Sequence, residues 1–204
     1  FAAVFYGCSS LTSVVIPEGV ESITGLAFTD CASLASVTIP ASVKSIEDLA
    51  FWNCTGLTSI TIPEGVESID PGSFWECGNL TSVTIPNSMK SIGYGAFSGC
   101  TKLLNVYCHA QEVPSTGEMV FDDSIYGSAT LYVPTNSLEN YKAANPWSNF
   151  YKIVSEDEAG IALPSATDGI VEVYTLDGQC AADLRKGINI VRMNNGATRK
   201  IYVK

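Results

Sequence analysis

Five cysteines lie at equal intervals along the chain, and a cysteine thiolate can act as a nucleophile, a metal ligand or a disulfide partner. Equal spacing argues against the last two roles. Side chains that point the same way from stacked segments neither converge on a zinc ion nor offer the Cβ directions of a disulfide. We therefore predict a structural ladder of buried thiols that donate to loop carbonyls. Its members are Cys8, Cys31, Cys54, Cys77 and Cys100.

The other reactive side chains form no recognisable catalytic set. His109 is the single histidine, and no serine or cysteine can be assigned to it as a nucleophile from spacing. Cys108 and Cys180 break the regular spacing and are the two thiols free to pair. The acidic runs 122–123 and 156–158 match no calcium-loop spacing. We therefore expect no enzyme activity, no cofactor and no bound metal.

Two tryptophans suggest a binding site instead. The position after a repeated phenylalanine holds Trp52 in one copy and Trp75 in the next. If the copies stack about 5 Å apart, as neighbouring strands do, the two indoles are adjacent at the edge of the core. They then offer a platform for a sugar ring or a partner side chain. Alternatively, they only cover the edge of the stack. The same column holds Tyr6, Thr29 and Ser98.

A repeated sequence phrase, which returns with the same spacing as the cysteines, must position these side chains. Its four best copies are LTSVVIPEGVESITGLAFTDC (11–31), LASVTIPASVKSIEDLAFWNC (34–54), LTSITIPEGVESIDPGSFWEC (57–77) and LTSVTIPNSMKSIGYGAFSGC (80–100). A strict period in the range of roughly 20–30 residues predicts a solenoid, whose coils bury their apolar side chains only against their neighbours. In LTSVTI, the inward residues are Leu80, Val83 and Ile85, and Thr84 points outward. This pattern predicts a strand that Pro86 ends, because proline has no N–H to donate.

A second short extended piece follows each proline. Its inward residues are a valine or methionine and then an isoleucine, and a phenylalanine follows at a fixed place in every copy. We expect those rings to stack into a column that fills the core. The ring column is Phe28, Phe51, Phe74 and Phe97. Between the inward residues lie Glu21, Lys44, Glu67 and Lys90, whose alternating charges favour attraction between successive coils.

The phrase LxxVxIPxxVxxIxxxAFxxC resembles the leucine-rich repeats of BspA-like bacterial surface proteins. The resemblance implies a curved right-handed solenoid with one strand from each repeat on its concave face. That face is expected to present an uncharged surface for ligand binding, because solenoids commonly bind along such surfaces. Threonine also suits any exposed strand position. The threonines are therefore explained equally well by ligand binding and by strand preference, and both can apply. The expected surface is Val15, Thr38, Thr61, Thr84 and Tyr107, flanked by Thr12, Thr58 and Thr81.

The solenoid is predicted to span residues 1–153, including a capping segment at about 129–153. The fifth unit loses the Ile-Pro pair, and the segment after it resembles the closing part of BspA-like arrays. Asn136 and Glu139 predict a capping box for a short helix that ends near Asn145–Pro146. Such a segment is expected to shield the apolar end of the last coil.

Residues 154–204 are predicted to form a small antiparallel β module. Extended runs at 169–176, 187–193 and 197–204 are accompanied by Asp-Gly and Asn-Gly turn signals. The module resembles the later half of the sorting modules of the type IX secretion route, although only about fifty residues of that pattern are present. It is therefore either a sorting signal or an additional cap.

The net charge of −10 narrows the range of partners. Residues 1–152 carry 14 acidic and 5 basic side chains, a net charge of −9, so the repeats hold nearly all of the acidity. An acidic surface repels nucleic acid and anionic lipid. No apolar run approaches the roughly 20 residues of a membrane-spanning helix, so we expect no membrane insertion.

The sequence begins inside a repeat, because Phe5 and Cys8 precede Phe28 and Cys31 by one period. An export signal is therefore expected outside the sequence. The family resemblance implies a secreted or cell-surface protein that binds host or bacterial surface proteins, with adhesion as its use. The alternatives are a polysaccharide-binding module that uses Trp52 and Trp75, and a structural scaffold that presents another domain. The sequence predicts no oligomeric state.

Overall fold

The computed structural model describes residues 3–157 in full, and residues 170–174, 180–181, 187–193 and 198–203 by their backbone. The chain forms two compact units, Phe1–Gly160 and Ile161–Lys204. The first unit extends beyond the predicted limit of residue 153, because its last strand runs to Ser155.

Each coil of the first unit contributes one short strand to a parallel ladder. Residues one repeat apart pair directly, as Ser13 does with Ser36 and Ser82 with Asn105. Hydrogen bonding divides the ladder into a two-stranded sheet and a five-stranded sheet. The first sheet contains β1 (Ser13–Val15) and β3 (Ser36–Thr38). The second contains β5 (Ser59–Thr61), β7 (Ser82–Ile85), β9 (Asn105–Cys108), β11 (Thr130–Val133) and β12 (Lys152–Ser155).

Alternation along these strands separates the core from solvent, as the sequence predicts. In β7, Val83 and Ile85 are completely buried, whereas Ser82 and Thr84 are partly exposed. The strand ends at Ile85, immediately before Pro86. We call the solvent side of this parallel ladder the strand face.

The second short piece of each coil forms another parallel ladder. Its strands are β2 (Ser22–Ile23), β4 (Ser45–Ile46), β6 (Ser68–Ile69), β8 (Ser91–Ile92) and β10 (Ser115–Thr116). The isoleucines of the first four strands point into the core, and Thr116 takes their place in β10. The predicted ring column is buried in the same core. Successive rings from Phe5 to Phe97 stack with centroids 5.1–5.3 Å apart, and Phe121 continues the column at 5.6 Å from Phe97. The column therefore extends one ring beyond the sequence prediction at each end.

Two positions in each coil have a left-handed backbone, the conformation that glycine adopts at the lowest cost. One column, with φ between 54° and 64°, is Ala3, Leu26, Leu49, Gly72, Gly95 and Met119. The other, with φ between 56° and 76°, is Gly7, Asp30, Asn53, Glu76 and Gly99. The same angles recur with different residues, so the coil geometry imposes the conformation.

A non-repetitive segment, residues 122–157, covers the last coil and is called here the C-terminal cap. It contains 3-10 turns at Asp123–Ile125, Thr135–Ser137 and Trp147–Asn149, the helix α1 (Leu138–Ala143), and strands β11 and β12. The rings of Trp147, Phe150 and Tyr126 pack edge-on against Phe121, with centroids 5.6, 5.3 and 6.5 Å away. The cap thereby seals the ring column.

The predicted capping box of α1 is wrong. The residue that caps the helix is Ser137, one position after Asn136, and no side-chain hydrogen bond caps the helix. A 3-10 turn precedes α1, which shifts the start of the helix. The Ser137 hydroxyl instead donates to the carbonyl of Gln111, 2.6 Å away, and so joins the cap to the fifth coil.

The second unit contains four strands that pair in the order β14-β13-β15-β16, all antiparallel. These are β13 (Ile170–Tyr174), β14 (Cys180–Ala181), β15 (Gly187–Met193) and β16 (Thr198–Val203). The predicted Asp177-Gly178 and Asn195-Gly196 turns lie outside the described residues.

Candidate binding surface

The strand face consists of parallel rows of side chains, because the strands pair in register without offset within each of the two sheets, β1-β3 and β5-β7-β9-β11-β12. One row, at the first residue of each strand, is Ser13, Ser36, Ser59, Ser82, Asn105, Thr130 and Lys152. The other, two residues on, is Val15, Thr38, Thr61, Thr84, Tyr107, Tyr132 and Val154. Paired strands lie about 4.8 Å apart, so the rows are nearly continuous within each sheet. The predicted Thr61, Thr84 and Tyr107 therefore belong to one row, and Thr38 lies at the same place on the two-stranded sheet.

The second row changes character along its length. Three successive coils place threonine there, and the next two strands place tyrosine. The rings of Tyr107 and Tyr132 stack with their centroids 4.6 Å apart and their planes inclined by 17°. The Tyr132 hydroxyl lies 3.4 Å from the side-chain oxygen of Asn105, to which it donates. Tyr132 was not predicted, because it lies two positions beyond the place that the repeat period assigns to the next member of the row.

Exposed apolar side chains precede two strands of the same sheet. Leu104 is 52 % exposed immediately before β9, and Tyr151 is 90 % exposed immediately before β12. At the corresponding positions before β5 and β7 the chain has Thr58 and Thr81. The second row is thus aromatic on β9 and β11, whereas the three coils before them place hydroxyl groups there.

Charged side chains lie almost entirely elsewhere in the described part of the first unit. In the two rows of the strand face, Lys152 on the last strand is the single ionisable side chain other than tyrosine. The alternating column on the other ladder forms one ion pair, between Lys90 and Glu67 at 2.7 Å, and the Lys90 ammonium lowers the pKa of the Glu67 carboxyl. No such pair joins Lys44 to Glu21 or to Glu67 within residues 3–157. Long exposed side chains lose entropy when they pair, so a favourable spacing does not ensure contact.

The thiols of four consecutive coils form hydrogen bonds to the core backbone. Cys31, Cys54, Cys77 and Cys100 each donate from Sγ to a carbonyl of the ring column, those of Phe5, Phe28, Phe51 and Phe74, at 3.1–3.2 Å. For Cys8 the prediction of a buried thiol is wrong, because it is exposed in the first described coil, whereas each of the other four thiols donates to a carbonyl of the preceding coil. Burial raises the pKa of Cys100 to about 12 and also raises those of Cys31, Cys54 and Cys77. These thiols stay protonated near neutral pH, which is unsuited to nucleophilic chemistry.

Cys108 belongs to a separate buried group that links the fifth coil to the cap. Its sulfur lies 3.1 Å from the hydroxyl oxygen of Tyr141, and that hydroxyl donates to the carbonyl of Ala110 at 2.9 Å. Burial raises the pKa of Cys108 to about 11 and raises that of Tyr141 as well. The side chain of Cys180 lies outside the described residues.

His109 contacts a residue that the sequence did not indicate. Its Nδ1 lies 2.5 Å from Oε1 of Glu156, which comes from the end of the cap. His109 occupies the place of the prolines that end the earlier strands. Unlike proline, it has a backbone N–H, which donates to the carbonyl of Ile85. The pair joins the fifth coil to the last strand, so its evident role is structural.

The acidic runs also have structural contacts. Asp122 accepts hydrogen bonds from the backbone and hydroxyl of Ser124, which lower its pKa, and Asp157 accepts one from the hydroxyl of Thr135. No group of three or more potential metal-ligating side chains occurs in the described parts of the chain. Glu158 lies outside them.

The structure places Trp52 and Trp75 in the turns that follow the ring column. Both are partly buried, and their backbones are joined through the Asn53 N–H and the Trp75 carbonyl, 2.8 Å apart. No ring contact joins the two indoles within residues 3–157. Tyr6, in the same column, is 54 % exposed. The column therefore exists, but its indoles are not stacked.

The described residues contain no helix that is long and apolar enough to cross a membrane. The first coil borders an open apolar hollow of about 280 Å³, which is lined by residues such as Val4, Phe5, Val15 and Phe28.

Comparisons with known proteins agree with this architecture. Residues 2–127 match the profile of the BspA type leucine-rich repeat region, in six copies. The crystal structure of a leucine-rich repeat protein from T. pallidum is 39 % identical, with a TM-score of 0.51 over 52 % of this chain and 50 % of that chain. A leucine-rich repeat protein from Eubacterium ventriosum ATCC 27560 shares the fold at 24 % identity, with a TM-score of 0.54 over 71 % of this chain and 41 % of that chain.

This chain thus spans about half the length, or less, of these two solved structures. No curated protein matches it.

Proposed function

Because this chain belongs to the BspA-type leucine-rich repeat family, we propose that it is a non-catalytic, secreted or cell-surface module that binds proteins of host or neighbouring cells in adhesion. The observation that carries the proposal is the strand face. It presents two rows of side chains, in register across the five strands of one sheet and the two strands of the other, with one charged residue among them. An extended, regular surface of this kind is what repeat proteins use to bind other macromolecules.

The buried side chains support a non-catalytic role. The coil thiols from Cys31 to Cys100 are neutral and bonded to carbonyls, and the single histidine is engaged by Glu156. Each of these groups joins one coil to another. They account for stability without requiring a substrate.

A binding screen tests the proposal. The purified chain is applied to immobilised extracellular-matrix proteins and, in parallel, to polysaccharides. A Thr61→Lys/Thr84→Lys variant places two charges at the centre of the strand face. Ser33→Lys/Thr101→Lys adds the same charge at exposed positions off that face. Each variant is first shown to have the same thermal unfolding temperature as the native chain.

We expect at least one matrix protein to bind the native chain and the control variant, and to bind the strand-face variant at least about tenfold more weakly. Equal binding by both variants would exclude the strand face. Binding confined to polysaccharides, and lost in Trp52→Ala/Trp75→Ala, would replace the proposal with the glycan alternative. An absence of binding throughout would favour the scaffold alternative.

The right-handed course of the coils belongs to the same proposal and rests on family resemblance. Residues 154–204 are proposed to be either a sorting signal or an additional cap, and deletion of residues 161–204 tests the first of these alternatives. If the shortened chain is still exported by a bacterium that uses the type IX route, the module is not the sorting signal.

A further inference from the structure

We propose that Tyr107 and Tyr132 form the anchor of the strand face, and that they receive an apolar or aromatic side chain from an uncharged, extended segment of the partner protein. This inference rests on the proposed function, which it makes specific. It concerns one end of the strand face, on β9 and β11.

The first argument is the position of the two rings. They stack at 4.6 Å on the solvent side of the ladder, opposite the phenylalanine column that fills the core. The preceding three coils place threonine at the same point of the strand and have complete cores without a tyrosine there. The stack therefore adds an aromatic surface that the fold does not require.

The second argument is the composition around the rings. Leu104 is exposed immediately before β9, the strand of Tyr107, and Thr84 and Asn105 supply neutral hydrogen-bonding groups. Rigid tyrosines surrounded by small polar side chains are typical of protein-binding surfaces, because tyrosine offers a large contact area at a small entropic cost. Burial also raises the pKa of Tyr107, so its hydroxyl stays protonated and can donate to a partner.

The third argument is electrostatic. The chain carries a net charge of −10, yet Lys152 is the one charged side chain in the rows of the strand face. A charged partner segment placed here would lose water without gaining an opposite charge. An uncharged segment avoids that penalty and can bury an apolar side chain against the rings. The acidic side chains elsewhere on the unit then affect only the rate at which the partner approaches, through long-range electrostatic forces.

The chain itself offers a matched substitution. Tyr107→Thr/Tyr132→Thr gives both positions the residue of the earlier coils, which suits an exposed strand. The control is Tyr94→Thr, which removes an exposed tyrosine away from the strand face. Thr84→Tyr extends the stack by one strand. Thermal unfolding of each variant identifies any that fail to fold.

The test uses the full chain and two probes. With any matrix protein that binds in the screen, Tyr107→Thr/Tyr132→Thr should weaken binding at least about tenfold, whereas the control should change it less than about twofold. Thr84→Tyr should preserve or strengthen it. If the tyrosine variant and the control bind alike while Thr61→Lys/Thr84→Lys still fails, the anchor is wrong and the proposed function stands.

A displayed library of random peptides gives a result that does not depend on the natural partner. We expect the chain to select uncharged peptides with an aromatic or large apolar residue, and the tyrosine variant to lose them. Three outcomes overturn the anchor: selection of Lys/Arg-rich peptides, retention of the selected peptides by the tyrosine variant, or no selection. Polysaccharide binding lost in the tyrosine variant would also replace the protein partner with a glycan.

Discussion

Within the described residues, the first and the last ring of the column are covered to very different degrees. The first, Phe5, is 39 % exposed and borders the open apolar hollow with Val4 and Val15. The last, Phe121, is 1 % exposed beneath Trp147 and Phe150. A repeated coil presents an apolar face on each side, so another coil can always be added. Covering such a face requires residues that do not follow the repeat.

The cap and the coils also differ in how they use side chains. In the coils, one bond recurs at the same place, as in the series of thiols that donate to phenylalanine carbonyls. In the cap, each bond occurs once: Ser137 to Gln111, Tyr141 to Ala110, and Glu156 with His109. When a cap residue is removed, we therefore expect no neighbouring residue to replace its hydrogen bond.

The largest expected effect comes from opening the sealed end. Trp147→Ala removes a completely buried ring and uncovers Phe121, so we expect the free energy of unfolding to fall by about 3–5 kcal/mol. Phe5→Ala at the open end removes a partly exposed ring, and a loss below about 2 kcal/mol is expected. Urea unfolding at 25 °C measures both. Equal losses would show that the cap does not seal the column.

The thiols provide the next comparison. Cys77→Ala removes a buried sulfur and the donor to the Phe51 carbonyl, and should cost about 1–3 kcal/mol. Cys8→Ala affects an exposed side chain and should change stability by less than about 0.5 kcal/mol.

Thiol reactivity provides a separate check. In a Cys180→Ser background, an aromatic disulfide reagent should modify Cys8 at once and the five buried thiols only on unfolding. Rapid modification of Cys77 or Cys108 in the folded protein would contradict the burial described here.

A smaller effect tests whether the coils are interchangeable. Glu76 has a left-handed backbone at φ 59°, at the position where the preceding coil has Asn53. Asparagine tolerates this conformation better than glutamate does. We therefore expect Glu76→Asn to raise stability by about 0.5 kcal/mol in thermal unfolding. Met119→Asn, at a left-handed position in the fifth coil, provides a second example. Destabilisation by both would show that side-chain contacts outweigh backbone strain.

The smallest expected effects are opposite pH dependences in a coil and in the cap. Burial, with the nearby Asp48 and Glu47 carboxylates, raises the pKa of Asp70. A raised folded-state pKa favours the protonated form, so its stability contribution is lost as pH rises above about 4. Asp70→Asn should therefore raise the melting temperature at pH 7 and have no effect near pH 3.

Asp122 should behave in the opposite way, because Ser124 lowers its pKa. Its contribution is present above the unfolded-state pKa of about 4 and is lost as pH falls through the folded-state value. Asp122→Asn should lower the melting temperature at pH 7. The loss in the free energy of unfolding should be well below about 1 kcal/mol, because solvent screens the charge of this partly exposed group. Melting curves at several pH values compare the two variants, and the same sign for both at pH 7 would refute the assignment.

The regular coils could be predicted closely from the sequence. Leu80, Val83 and Ile85 are buried as their spacing indicates, and the phenylalanine rings stack in the expected column. Prediction failed where the period changes. Phe121 lies one position, and Tyr132 two positions, beyond the place that the period assigns, so a search for a strict repeat passes over both. The Val-Phe pair at 120–121 and the Val-Pro pair at 133–134 were the available signals.

The repeat period alone determined the stacking of the coils, their register and the identity of the inward columns. The reason is that residues one repeat apart lie beside each other when parallel coils stack in register. The tertiary structure decided the rest. The stacking of Tyr107 on Tyr132, the contact of His109 with the distant Glu156, and the closure over Phe121 depend on the path of the cap. That path is set by many packing contacts formed together, and no single spacing along the chain records it.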